Sequence, residues 1–376
     1  MNFSYRLGAA AVLVLSGAHC TWQTALPNAA AAIPVERDRE LVITDDGILG
    51  ALSGNAADGP MSFRRAMEHL TTQQASGDAT LAWMSRWSQR LRDEGQAARA
   101  DSLDATITCP WLRRAPDNQC SASCDACAAK VLRLEDAPFR LIAVANRTDL
   151  SVMPDRAADG GEGRLVFALT DGPADSDGSP SLPLTAIVEY MQQGSAKDWA
   201  GRWHALGSLP AGAFPAELAV LVGAFVQTGT LAQIRTGDAF TGPLVLHEFH
   251  LESGQLVPRN VRNTPDWSSV SAADIRAFCA DHADAIENGT HVLPPSWLAK
   301  ASALDAGVPT YLATVPSHVA LVHGTCGGCH GDAERGFQID PLAKGDRKLS
   351  RFLVDPSKAL DEIGRRVEWM QLTLSQ

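Results

Sequence analysis

Near the end of the chain stands Cys326-Gly327-Gly328-Cys329-His330, a C-x-x-C-H run. Two cysteines two residues apart, followed directly by histidine, have the spacing of a covalent haem attachment site. Each thiol adds across one haem vinyl group, and the adjacent histidine supplies a neutral imidazole as proximal iron ligand. The two glycines let the backbone pass close to the porphyrin edge. No other feature constrains the fold as much, because a chain with this motif has to enclose a large apolar macrocycle. One covalent haem c on Cys326 and Cys329, with His330 on the iron, is the first expectation.

The N-terminus agrees with attachment outside the cytoplasm. Arg6 precedes an apolar run from Leu7 to Ala18, and no acidic residue occurs before Glu36. That is the pattern of a secretory signal, too short for a comfortable membrane span. Cys20 follows directly and reads as a lipidation site that would tether the chain to a membrane. Gly17, Ala18 and His19 depart from the usual lipobox, and ordinary cleavage near Ala30–Ala32 competes. The expected location is periplasmic, or outer-membrane lipoprotein if Cys20 is lipidated.

The charge of -11 argues against nucleic acid or an anionic membrane surface as partner, since both favour basic faces. Cys109, Cys120, Cys124 and Cys127 cluster, and Cys279 stands apart. In an oxidising compartment these five thiols predict two disulfides and one free cysteine. Cys124-Asp125-Ala126-Cys127 lacks a trailing histidine and is not a second haem site. The cluster matches no standard zinc or iron–sulfur spacing.

The chain divides into a signal peptide at 1–20, a linker at 21–60 with one short strand at Glu40–Thr44, an α+β domain at 61–295 and a haem segment at 296–376. Helices are predicted over 61–70 and 78–95. In the second, Leu81, Met84, Trp87 and Leu91 share one face and Gly95 ends the run. Strand patterns cover Phe139–Ala145, Arg164–Leu169 and Leu182–Glu189. Helices follow at Trp199–Leu209 and Pro215–Gln227. A hairpin joins Leu244–Leu251 to Gln255–Val261 across Ser253-Gly254, and Ser271 caps a helix running to about Asn288. Strands without regular βαβ alternation predict an α+β fold with a mostly antiparallel sheet, flanking helices and a small helical haem segment at the C-terminus.

Pro316–His323 and Ser357–Leu374 read as helices on either side of the motif, the second with Leu360, Ile363, Val367, Met370 and Leu374 on one face. This pair resembles a minimal cytochrome c core. The resemblance implies electron transfer or accessory redox chemistry with a redox partner protein. The chain departs from that family in ending soon after the motif, with no methionine-bearing loop. Met370 and His323 are the candidate distal ligands, with His318, His291 and His204 behind them. An open sixth position would instead permit peroxidase-like chemistry, for which His323, Asp332 or Glu334 are the nearby acid–base groups. Zinc held by Cys326, Cys329, His330 and His323 is a further alternative, as is a disulfide-stabilised binding or structural module.

The fragments Ala145-Asn146-Arg147-Thr148-Asp149-Leu150, Arg202–Leu209, Arg235-Thr236-Gly237-Asp238 and Asn288-Gly289-Thr290-His291, taken with the late C-x-x-C-H, resemble uncharacterised exported bacterial proteins carrying a single such motif. That resemblance brings no activity with it. His247-Glu248-Phe249-His250 is not H-E-x-x-H. On a strand its two histidines point to opposite faces, which speaks against joint metal binding. No nucleophile elbow, P-loop or dinucleotide-binding glycine pattern occurs.

Overall fold

Alternation along the strands sorts this chain into a buried apolar face and a face carrying charge. The computed structural model describes residues 33–376, except 71–75, 117, 119–126, 128–129, 153–158, 177, 228–229, 262–264, 288–290, 299–320, 322–324, 326–329, 331–335, 344–348 and 356–360. Its strands are β1 (Val42–Ile43), β2 (Phe139–Arg147), β3 (Asp159–Thr170), β4 (Ser181–Gln193), β5 (Leu231–Asp238), β6 (Val245–Glu252) and β7 (Gln255–Arg259). They form one seven-stranded sheet in sequential order, with every neighbouring pair antiparallel. The helices are α1 (Arg37–Glu40), α2 (Asp46–Leu52), α3 (Phe63–Glu68), α4 (Ser76–Asp93), α5 (Ala97–Leu103), α6 (Cys109–Arg114), α7 (Ala196–Gly207), α8 (Phe214–Phe225), α9 (Ala272–Asp281), α10 (Ala283–Glu287) and α11 (Glu362–Ser375). The chain is an α+β protein, as expected.

Several local readings hold in detail. Gly95, at φ 76°, follows α4, and Gln96 N–H closes the helix end on the Leu91 carbonyl. Ser271 Oγ accepts from Asp274 N–H at the start of α9. Ser253 and Gly254 both have positive φ, the requirement of a tight turn between right-twisted strands. Others differ. The glycine-rich Asp159–Gly163, which composition alone reads as a loop, is the first part of β3. Its glycines are there for close approach: a Cβ on Gly160 would lie 2.3 Å from the Trp199 ring, and one on Gly163 2.7 Å from Phe225. The span 21–60 reads as a linker by composition; within it α1, β1 and α2 form, and Leu41, Val42, Ile43 and Leu49 are buried. The short strand expected at Glu40–Thr44 is β1, whose Val42 and Ile43 pair with Ala145 and Val144 of β2.

One sheet face buries the main core. Phe63 of α3 stacks on Phe139 of β2 at 3.9 Å and meets Phe167 of β3 edge-on at 5.6 Å. Trp83 of α4 meets Phe249 of β6 edge-on, and Phe225 of α8 packs on Tyr190 of β4. A smaller cluster gathers Trp267, Ile275, Phe278, Trp297 and Leu321 around α9. Cys109 and Cys127 each take part in a disulfide, and Cys279 is a free, buried thiol. Cys120 and Cys124 lie outside the described residues.

The C-terminal helix is fastened to the sheet by charge. Arg147, at the end of β2, grips both oxygens of Asp149 at 2.9 and 3.1 Å. Arg365 of α11 reaches the same carboxylate at 3.0 Å, and Glu362 accepts from Arg365 and Arg366. The Asn146–Leu150 fragment therefore acts as the seat of α11.

Candidate functional site

His330 sits half-buried beside the second face of the sheet. Its Nδ1 is 2.5 Å from the Gly336 carbonyl oxygen. A carbonyl only accepts, so Nδ1 carries the proton and the lone pair is left on Nε2. Burial pushes the imidazole below its ordinary pKa; the Gly336 carbonyl pulls the other way, and the Arg235 charge adds to the fall. The ring is therefore neutral at pH 7. A neutral imidazole with Nδ1–H held by a backbone carbonyl and Nε2 available is the state in which histidine ligates a metal.

The carbonyl that holds it is itself built into the fold. Gly336 takes φ 81° and lies against Leu244, where a Cβ would come within 2.7 Å. Phe337 follows and packs with Leu244, Leu246 and Val261 in a small apolar cluster. Beneath it is Gly237 of β5, where an added Cβ would meet Thr185 Oγ1 at 2.7 Å and Phe337 Cε1 at 3.2 Å. The Arg235–Asp238 fragment thus has a structural explanation: its glycine lets the segment after the motif settle on the strand. Gly237→Val is expected to destabilise the protein by about 1–3 kcal/mol through overpacking. Gly50→Ala, where nothing lies within 4 Å of the new Cβ, is the control that should stay near wild type in urea unfolding.

The other expected site residues are distributed. Cys326, Cys329, His323, His318, Asp332 and Glu334 lie outside the described residues, as do Cys20 and, Leu321 apart, the helix expected at Pro316–His323. Met370 is 1% exposed in the main core, on a helix that packs against α7 and residues 148–152. His330 has different surroundings, and the described contacts do not bring the two together. His291 is buried, with its ring 6.4 Å from Phe278. It belongs to the same region as Leu321, which leads toward the motif. His204 holds Glu40 through Nδ1 at 2.9 Å. Burial raises that carboxyl's pKa, against the opposing pull of the Glu36 amide and His204.

His247 and His250 do face opposite ways. His247 Nε2 contacts Glu94 at 3.2 Å within the core, whereas His250 Nε2 lies 2.5 Å from Glu248 on the other face.

That second face holds residues that sequence reading missed. Arg164 pairs in register with Glu189, Glu189 with Gln233, and Gln233 with His250; Arg235 pairs with Glu248. Alternating polar residues on strands usually signal a solvated face. Here Glu162, Glu189 and Glu248 are at most 2% exposed. The available signal was charge of alternating sign at matching positions in successive strands, which becomes visible only once the strands are paired. Comparison with protein-family models, curated proteins and solved structures finds no match to this chain.

Proposed function

We propose that this chain is an exported, single-haem c-type cytochrome-like protein serving electron transfer or accessory redox chemistry in the cell envelope. Cys326 and Cys329 carry the thioether links and His330 is the proximal ligand. The observation that supports this most is the Nδ1–Gly336 hydrogen bond, which fixes His330 in the tautomer that presents Nε2. The haem, when bound, supplies reversible one-electron iron chemistry. The chain's own residues do the rest. Gly336 orients the imidazole, burial keeps it neutral, and Leu244, Leu246, Val261 and Phe337 form an apolar floor that excludes water next to it.

The partner in this reading is a redox protein, and Cys20 is the point of attachment if the chain is tethered. Among the described residues no helix is long and apolar enough to cross a membrane.

The deciding experiment is expression alongside a cytochrome c maturation system. The protein is expected to be red, to keep its haem through denaturing electrophoresis and to give a c-type pyridine haemochrome. Cys326→Ala combined with Cys329→Ala should remove the covalent signal completely. A colourless wild-type protein under the same conditions, particularly one containing zinc, overturns the proposal. Cyanide and carbon monoxide binding then separate a six-coordinate carrier, which resists both, from a peroxidase-like iron with an open position.

A further inference from the structure

A row of charges of alternating sign, its carboxylates buried and its arginines partly so, crosses four strands on the face beside His330. Arg164 Nη2 lies 2.6 Å from Glu162 and 3.4 Å from Glu189 Oε1. Arg235 Nη1 lies 3.4 Å from that same Glu189 oxygen, and its Nε 3.1 Å from Glu248. Gln233 donates to the other Glu189 oxygen, and His250 closes the row on Glu248. Burying such a row is a poor way to gain stability, because desolvation consumes most of the Coulombic attraction and apolar residues of similar size often do as well. Charges fixed in a poorly hydrated place do, however, set the electrostatic environment of whatever lies beside them.

The row's position says which site. Arg235 precedes Gly237 by two residues, so both project from the same face of β5. Gly237 is in contact distance of Phe337, the neighbour of Gly336, whose carbonyl holds His330. Arg235 is thus the member of the row that Gly237, Phe337 and Gly336 connect to the imidazole, and its charge bears on that ring. Glu189 and Glu248 clamp the guanidinium from two sides, which removes its freedom to swing away.

We propose that Arg235 is a positioning residue that raises the reduction potential of the haem held by His330, with Glu189 and Glu248 fixing its charge in place. The inference rests on the haem reading above. Oxidised haem carries one more positive charge than reduced haem. A fixed positive neighbour in a partly dehydrated site opposes that charge and so favours the reduced form. Arg235 needs no contact with the iron to do this. A carboxylate in the same row has the opposite effect, so Arg235 and Glu248 should act with opposite signs.

The test is the midpoint potential of full-length holoprotein at pH 7, by spectroelectrochemistry, for wild type and three variants. Arg235→Gln is expected to shift it downward, Arg235→Lys to restore it toward wild type, and Glu248→Gln to shift it upward. A purely structural role for Arg235 would alter unfolding without this paired change of sign. Covalent haem present with the Arg235→Gln potential unmoved or raised overturns this inference and leaves the haem reading standing. Absence of covalent haem in the wild type overturns both. If Arg235→Gln does not accumulate as folded protein, Glu248→Gln decides: an upward shift supports the inference, and an unchanged or lowered potential overturns it.

Discussion

Asp149→Ala is expected to destabilise the protein by about 3 kcal/mol, measured as a drop in the urea midpoint at pH 7. Asp149 is buried and receives three hydrogen bonds from two guanidinium groups, two from Arg147 and one from Arg365. Removing it leaves Arg147, Arg365 and Arg366 together, with Glu362 left to offset their three positive charges. The figure lies at the low end for breaking a buried pair because Arg365 is 41% exposed. The same cluster predicts acid behaviour. Burial alone would raise the Asp149 carboxyl, but Arg147, Arg366 and Arg365 outweigh it and hold it far below the ordinary carboxylate range. Glu362 is likewise pulled down, from 4.5 to about 2, by Arg366 and Arg365 against its burial. Carboxyls depressed in the folded state contribute stability above their unfolded pKa and lose it as pH falls toward the folded value. Stability should therefore decline from about pH 4.5 toward pH 2, and Asp149→Ala should flatten that decline. A variant that loses under 1 kcal/mol, or keeps the wild-type acid profile, would show that α11 is held by packing alone.

Phe63→Ala should cost more, about 3–5 kcal/mol. Phe63 is fully buried, stacks on Phe139 and touches the rings of Phe167, Trp83 and Trp111. Four elements share that one side chain, so the cavity left behind cannot close by moving a single neighbour. α3 is only 6 residues long and could not persist alone, so its position depends on this ring as well as on the Ser62 cap. Phe63→Leu, which refills part of the space, should recover more than half of the loss. If the alanine variant unfolds at the wild-type urea concentration, the aromatic cluster is not the centre of the core.

The strand and helix periods, the Gly95 stop, the Ser271 cap and the Ser253-Gly254 turn were legible because each depends on residues a few positions apart. The motif was legible for the same reason: the spacing of Cys326, Cys329 and His330 is local chemistry. Sequence by itself therefore determined the α+β class and most elements, and the haem proposal starts from the motif's spacing. The tertiary structure alone decided what surrounds His330. Gly336 is six residues away and could have pointed anywhere; a positive φ and the cluster of Leu244, Leu246, Val261 and Phe337 aim its carbonyl at Nδ1. Strand pairing alone joined Arg164, Glu189, Arg235 and Glu248, apparently solvated positions, into one row with buried carboxylates and partly buried arginines. Those residues span 85 positions of chain between Arg164 and Glu248 by their numbering, and no local pattern carries the register that joins them. Register is set by which faces can be buried together, and that free energy is a property of the assembled sheet.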